Sequence, residues 1–183
     1  MSSSVFADDV LEFWYVESDP SQWFRKDEHY DSLIRDRFAE LVEEALRGEH
    51  DDWATSDSGA LALIIVLDQF PRNIFRDDAR SYAGDTKALE ISLATQARGT
   101  WTELEADYKH FILVPMMHSE DLEVQEKSLP LFKDHCAEDV HAYGVKHRDS
   151  VKRFGRFPHR NAILGRESTP EELEFLKTPG SSF

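Results

Sequence analysis

Apolar residues along this chain recur every three to four positions, the period of an α-helix, and the two-residue alternation of a half-buried strand is hard to find. A short aromatic-rich helix is predicted over Val5 to Tyr15, with Asp8 and Asp9 in its early turns, where carboxylates suit the helix dipole. A second runs from about Asp27 to Arg47 on the stripe Tyr30, Ile34, Phe38, Leu41, Val42 and Ala45, with Gly48 as its stop. The polar stretch Gly48 to Asp57 reads as a loop anchored by Trp53. Asp57 or Ser58 then caps a helix through Leu67 that is apolar on nearly every side, hence central, and Pro71 is expected to end it. The next helix starts at about Asp85 and closes at Gly99.

Another helix begins near Thr102 with Leu104, Tyr108, Phe111 and Ile112 in line, and Pro115 should kink or end it. Ser119 is the expected cap of the following helix, whose stripe is Leu122, Gln125, Leu129, Phe132 and Cys136, with a bend at Pro130. Glu138 to Phe154 places Val140, Tyr143, His147, Val151 and Phe154 at helical spacing. Thr169-Pro-Glu-Glu is a capping box with proline at the first helical position, opening a short helix through Leu176. About eight helices with short connections make an all-α fold. With 183 residues the expectation is one domain over 1–183, its core at about 5–176.

Composition narrows the class. Hydrophobic residues at 40% and charged residues at 31% exclude a disordered chain or a disulfide scaffold, and a single cysteine, Cys136, excludes an internal disulfide and points to a reducing compartment. The longest apolar run, Ala60 to Leu67, is far short of a membrane span, and the first residues carry neither a basic flank nor an apolar signal core. A cytoplasmic protein is the expectation. The net charge of −15 disfavours nucleic acid and anionic membrane as partners. Yet between Lys146 and Arg166 seven basic residues stand against one acid, Asp149, a local +6 in an acidic chain. Those residues either pair with the acidic excess elsewhere or form a positive site suited to a small anion.

The candidate chemistry lies in a local echo. Gln69-Phe-Pro-Arg72-Asn73 is mirrored by Arg156-Phe-Pro-His159-Arg160-Asn161. Phe, Pro and Asn are explained as a core plug, a helix stop and a turn or cap residue. The arginines are not, since guanidinium groups are chosen to grip a carboxylate or phosphate with two prongs. An anion pocket shared by the two segments and an arginine–carboxylate network bracing loops are the two readings, with Asp68, Asp149 and Glu120 available as partners in the second.

His118-Ser119-Glu120 holds the residue types of a nucleophilic triad, but neighbours on a helix start point apart. His118 and Glu120 remain as acid/base candidates. Gln125 and His147 interrupt apolar stripes and need buried partners, either as part of a polar centre near His118 or as a network fixing helix register. Asp107-x-x-His110 and Glu138-x-x-His141 have the spacing of helical-bundle metal ligands, but the further glutamates of a full site are not evident, so no metal is assigned. Cys136 reads as a small hydrophobe. No glycine-rich phosphate loop occurs, and no cofactor is expected.

The blocks Val10-Leu-Glu-Phe-Trp, Leu67-Asp-Gln-Phe-Pro-Arg-Asn-Ile-Phe-Arg, Pro115-Met-Met-His-Ser-Glu-Asp, Phe154-Gly-Arg-Phe-Pro-His-Arg-Asn-Ala-Ile-Leu-Gly-Arg and Ser168-Thr-Pro-Glu-Glu resemble, in this order, a bacterial family known as domain of unknown function 924. The resemblance runs from about Val5 to Leu176 and implies a right-handed, tetratricopeptide-like array of antiparallel helix pairs. It carries no activity. The reading that follows is a small-molecule site for a phosphorylated or carboxylated metabolite, lined by Arg72, Asn73, Gln125, His147, Arg156, His159, Arg160 and Asn161, with hydrolysis or proton transfer through His118 and Glu120. The alternative is a helical interaction module that recognises an acidic peptide or partner; self-association fits either reading.

Overall fold

A computed structural model describes residues 5–183, and among them every regular element is helical. The chain divides into two compact units, one reaching Glu103 and the other spanning Leu104–Phe183. No helix among the described residues is long and apolar enough to cross a membrane.

The first unit is built on α1 (Ala7–Glu12), α2 (Glu28–Arg47), α3 (Asp57–Ile64), α4 (Phe70–Ile74) and α5 (Asp85–Arg98). The helix expected over Val5 to Tyr15 is shorter as an α-helix and runs on as a widened π turn over Phe13–Glu17. Asp27 caps α2 through His29 N–H and Tyr30 N–H, and Gly48 ends it at φ 89°, a left-handed conformation that suits glycine. Trp53 sits in a 3₁₀ turn, Asp51–Thr55, rather than in an unstructured loop.

The α3 cap is Ser56, not Asp57 or Ser58: its hydroxyl accepts from Gly59 N–H at 3.1 Å. Every residue from Ala60 to Leu67 is buried, so α3 is the central helix its all-round apolarity predicts. Phe38 of α2 packs with Phe13 and Phe70, ring centroids 5.0 Å apart for Phe13 and Phe38 and 4.7 Å for Phe38 and Phe70. Pro71 does not end the run. A second π turn, Ile65–Gln69, intervenes, and the proline falls in the first turn of α4, where a missing N–H is tolerated.

The second unit contains α6 (Ala106–Met117), α7 (Leu122–His135), α8 (Glu138–Phe154) and α9 (Pro170–Phe175). Pro115 and Pro130 both lie inside helices. Asp121, not Ser119, caps α7, accepting from Glu123 N–H at 2.8 Å, while Ser119 Oγ accepts from Asp121 N–H. The capping box Thr169–Glu172 forms as the sequence predicts, with Glu172 N–H donating to Thr169 Oγ1 and Thr169 N–H donating to Glu172 Oε2. On α8 the buried face is Gly144, His147, Ser150 and Val151, whereas Tyr143 is 54% exposed. The reason is a close approach to α7: a Cβ on Gly144 would stand 3.3 Å from Phe132 Cδ2 and 3.4 Å from Leu129 Cδ2.

Candidate functional site

The two halves of the echo fold differently. Arg72 lies on α4, in the first unit, and its guanidinium grips Asp85 with two bonds of 2.8 and 3.0 Å while also donating to the Asp68 carbonyl at 2.5 Å. Burial works against its charge, but Asp85 and Asp68 outweigh it and raise the pKa above the ordinary arginine value. Asn73 donates to Asp31 Oδ1 at 2.8 Å, a carboxylate that also receives Arg76 through two bonds. Asn73, Asp31 and Arg76 line an open depression of about 360 Å³ together with Lys26 and Arg35.

The other candidates belong to the second unit. After Gly155 closes α8 in a left-handed conformation, Pro158–Arg160 form a 3₁₀ turn. Arg156 holds Glu172 by two bonds of 2.7 Å, and Asn161 Nδ2 donates to Ser168 Oγ at 3.0 Å and to Glu172 Oε2 at 3.3 Å. The Arg156 bond, working against burial and with help from Thr169 N–H, lowers Glu172 to about 2. Asn161 Oδ1 accepts from Arg166 Nε at 3.0 Å, and Arg166 extends to Glu120 with a second fork. Glu120 also accepts the Phe157 N–H at 2.7 Å. Burial raises its pKa less than Arg166 and the Phe157 amide lower it, so the carboxyl stays ionised below the usual range. Arg156, Asn161 and Glu120 thus form a continuous brace that ties the 157–166 segment to the start of α7 and to α9.

Beside this brace the unit gathers imidazoles. His147, 4% exposed, directs Nδ1 at the Tyr143 carbonyl 2.8 Å away. A ring nitrogen facing a carbonyl must carry the proton, so the neutral ring keeps its lone pair on Nε2. Burial pushes its pKa down to about 3, opposed by the Tyr143 bond and assisted by His118, Arg160 and His159. The His118 ring centroid lies 6.3 Å from that of His147, and Phe157 meets His147 edge-on at 5.5 Å. His159 stands 5.8 Å from the Phe157 ring, and Arg160, 7% exposed, lays its guanidinium over the same ring with Cζ 4.5 Å from the centroid.

Gln125, fully buried, donates through Nε2 to both the Met117 and Ser119 carbonyls at 2.7 Å. Two carbonyls facing one nitrogen fix the amide orientation. Oε1 is left buried with no hydrogen-bond partner, and so is Ser150 Oγ. Arg148 bonds Glu126 across the α7–α8 pair, and Gly144 abuts Leu129 and Phe132. In that antiparallel register Gln125 is level with the turn bearing His147 and Ser150.

The structure therefore brings His147, His159 and Arg160 around Phe157, with His118 beside His147, keeps Gln125 against the Met117 and Ser119 carbonyls, and sets Glu120, Arg156 and Asn161 in the adjoining brace. Arg72 and Asn73 are part of the other unit. Sequence reading missed the ring of Phe183, which stacks on His147 with centroids 4.0 Å apart and for which no local signal exists. It also missed Ser150, whose place on the buried face of α8 follows from helical spacing after His147. Among the described residues no three His, Cys, Asp or Glu side chains converge as metal ligands would.

An all-helical fold with these motif-bearing segments in this order defines a bacterial family. The chain belongs to the family described as bacterial protein of unknown function (DUF924), which it matches over residues 10–180. Among solved structures it is similar to the protein of unknown function ATU0120 from Agrobacterium tumefaciens, at 39% identity and a TM-score of 0.89, over 93% of this chain and 96% of that one. No curated protein matches the chain.

Proposed function

We propose that the second unit binds a small phosphorylated or carboxylated metabolite at the cluster of His118, His147, His159 and Arg160. The observation that carries this reading is the gathering of His147, His159 and a buried guanidinium around Phe157, with His118 beside His147, next to a helix pair that holds two unsatisfied buried oxygens. A core built for stability alone satisfies its buried polar atoms or replaces them with apolar ones.

In this reading Arg160 and His159 take the anion, and Gln125 Oε1 and Ser150 Oγ supply polar partners deeper in the site. His118 is the group placed to accept or return a proton, which suits hydrolysis or proton transfer, while His147 stays neutral and offers Nε2 as a hydrogen-bond acceptor. Arg156, Asn161 and Glu120 act as positioning residues, since their polar atoms are engaged with Glu172, Ser168, Arg166 and Phe157. The site is confined to the second unit, and the depression beside Asn73 has no part in it.

A thermal-shift screen against phosphorylated and carboxylated metabolites tests the proposal, with Arg160→Met as the control because methionine keeps the apolar contact with Phe157. A ligand at 100 times its Kd adds about 2.7 kcal/mol, which for a chain of this size raises Tm by roughly 5–10 °C. The expected result is a selective shift in the wild type that Arg160→Met abolishes. A shift that survives Arg160→Met, or no shift with any anion, overturns the assignment and favours recognition of an acidic peptide.

A further inference from the structure

Phe183 is 36% exposed, yet its ring lies flat on the nearly buried His147, with centroids 4.0 Å apart and planes 30° apart. The edges of two further rings close the sides, Phe157 at 5.9 Å and 72°, and His159 at 5.6 Å and 78°. The Phe183 ring thus fills a slot floored by His147 and walled by Phe157 and His159. Arg160 lies over the same Phe157 ring.

The segment that delivers Phe183 is anchored at Ser181, which is buried, while Phe183 itself reaches the surface. After α9 the chain turns at Gly180, φ 76°, and Ser181 Oγ bonds back to the Leu176 carbonyl at 3.1 Å. That bond is local to the segment. The ring itself meets the rest of the unit through His147, Phe157 and His159.

We propose that the Phe183 ring occupies the seat of a planar aromatic or heteroaromatic group of the ligand, so that the site takes aryl phosphates or aryl carboxylates and Phe183 leaves the slot when they bind. This inference rests on the anion site proposed above and adds the ring to the anion. The chemistry is consistent: neutral imidazole and phenyl faces accept a flat ring, and a guanidinium beside them accepts the charged substituent. Because a competing ring reduces the apparent affinity by the fraction of time the slot is open, a slot open about a tenth of the time weakens binding about tenfold.

The experiment compares phenyl phosphate, cyclohexyl phosphate and inorganic phosphate on wild type, Phe183→Ala and Phe183→Leu by calorimetry, with the His147 ring protons followed by NMR. Loss of the stacked ring in Phe183→Ala should move the His147 resonance downfield. Phenyl phosphate should then bind about tenfold more tightly than to wild type and restore the upfield position, while cyclohexyl phosphate does not. Inorganic phosphate should bind all three proteins alike. If inorganic phosphate binds but phenyl phosphate gains nothing from Phe183→Ala, the ring seat is wrong and the anion site stands. If no phosphate binds any of the proteins, the anion site itself fails and takes the ring seat with it.

Discussion

Arg166 and Glu120, 46 positions apart, meet through a two-pronged pair, Nη1 to Oε2 at 2.7 Å and Nη2 to Oε1 at 2.9 Å. The same guanidinium donates to the Phe157 carbonyl at 3.1 Å while Glu120 receives the Phe157 amide. Both backbone groups of Phe157 are thereby satisfied by one ion pair. This pair fixes the ring on which Arg160 rests and against which His147 and His159 pack.

Glu120→Gln removes the charge and one acceptor from this arrangement and leaves the half-buried Arg166 with a neutral partner. The expected loss is about 1–3 kcal/mol of stability, read as a lower urea midpoint at unchanged m. Arg166→Lys should lose a similar amount, because an ammonium cannot span both carboxylate oxygens. A Glu120→Gln protein as stable as the wild type would show that the pair does not hold the segment.

His147 should remain neutral across the physiological range. Its folded pKa of about 3 lies below the ordinary 6.5, and His110, pushed by burial to about 4, follows the same direction. The unfolded chain therefore binds more protons than the folded one between these values. The stability owed to neutral imidazoles is complete above about pH 6.5 and is lost as the pH falls toward 4 and then 3. NMR of the ring nitrogens should find His147 with the proton on Nδ1 and no titration down to pH 5. A midpoint near 6.5 would contradict the buried arrangement.

Gly84, like Gly59 against the Trp53 carbonyl, is a place in the first unit where backbone meets backbone. A Cβ on Gly84 would stand 2.0 Å from the Leu67 carbonyl oxygen, and a backbone carbonyl in the middle of a buried helical run cannot move aside as a side-chain tip can. Gly84→Ala should destabilise by about 3 kcal/mol, at the upper end of ordinary overpacking, and alanine is also the poorer residue at this position, the N-cap of α5. Gly99→Ala offers the comparison, since nothing lies within 4 Å and only its φ of 80° opposes the change. Denaturant unfolding of the two variants should show the larger loss at Gly84.

Much of the helical framework was legible because its signals are local. The stripe from Tyr30 to Ala45, the all-round apolarity of Ala60 to Leu67, the Thr169 capping box and the Gly48 and Gly99 stops each act within a turn or two of the chain. Where local signals compete, the outcome shifted by a few residues. Ser56 caps in place of Asp57 or Ser58, and Asp121 in place of Ser119, because each of these short polar runs holds several residues able to accept from a helix N–H. Pro71 misled for a different reason, since a π turn can absorb the missing donor.

The sequence by itself determined an all-helical chain, the family to which it belongs, and the residues that simple packing leaves unexplained. It marked Arg72, Arg76, Arg156, Arg160 and Arg166 as unusual, because a guanidinium is chosen to grip a carboxylate or phosphate and a core plug or helix stop does not call for one. Only the tertiary structure decided who the partners are: Asp85 for Arg72, Glu172 for Arg156 and Glu120 for Arg166. The meeting of His118, His147, His159 and Phe183 was equally out of reach. Helix caps and stripes follow from hydrogen bonds and spacing within a few residues. Which charges and rings meet across tens of residues depends on how the helices pack, and no local pattern encodes that.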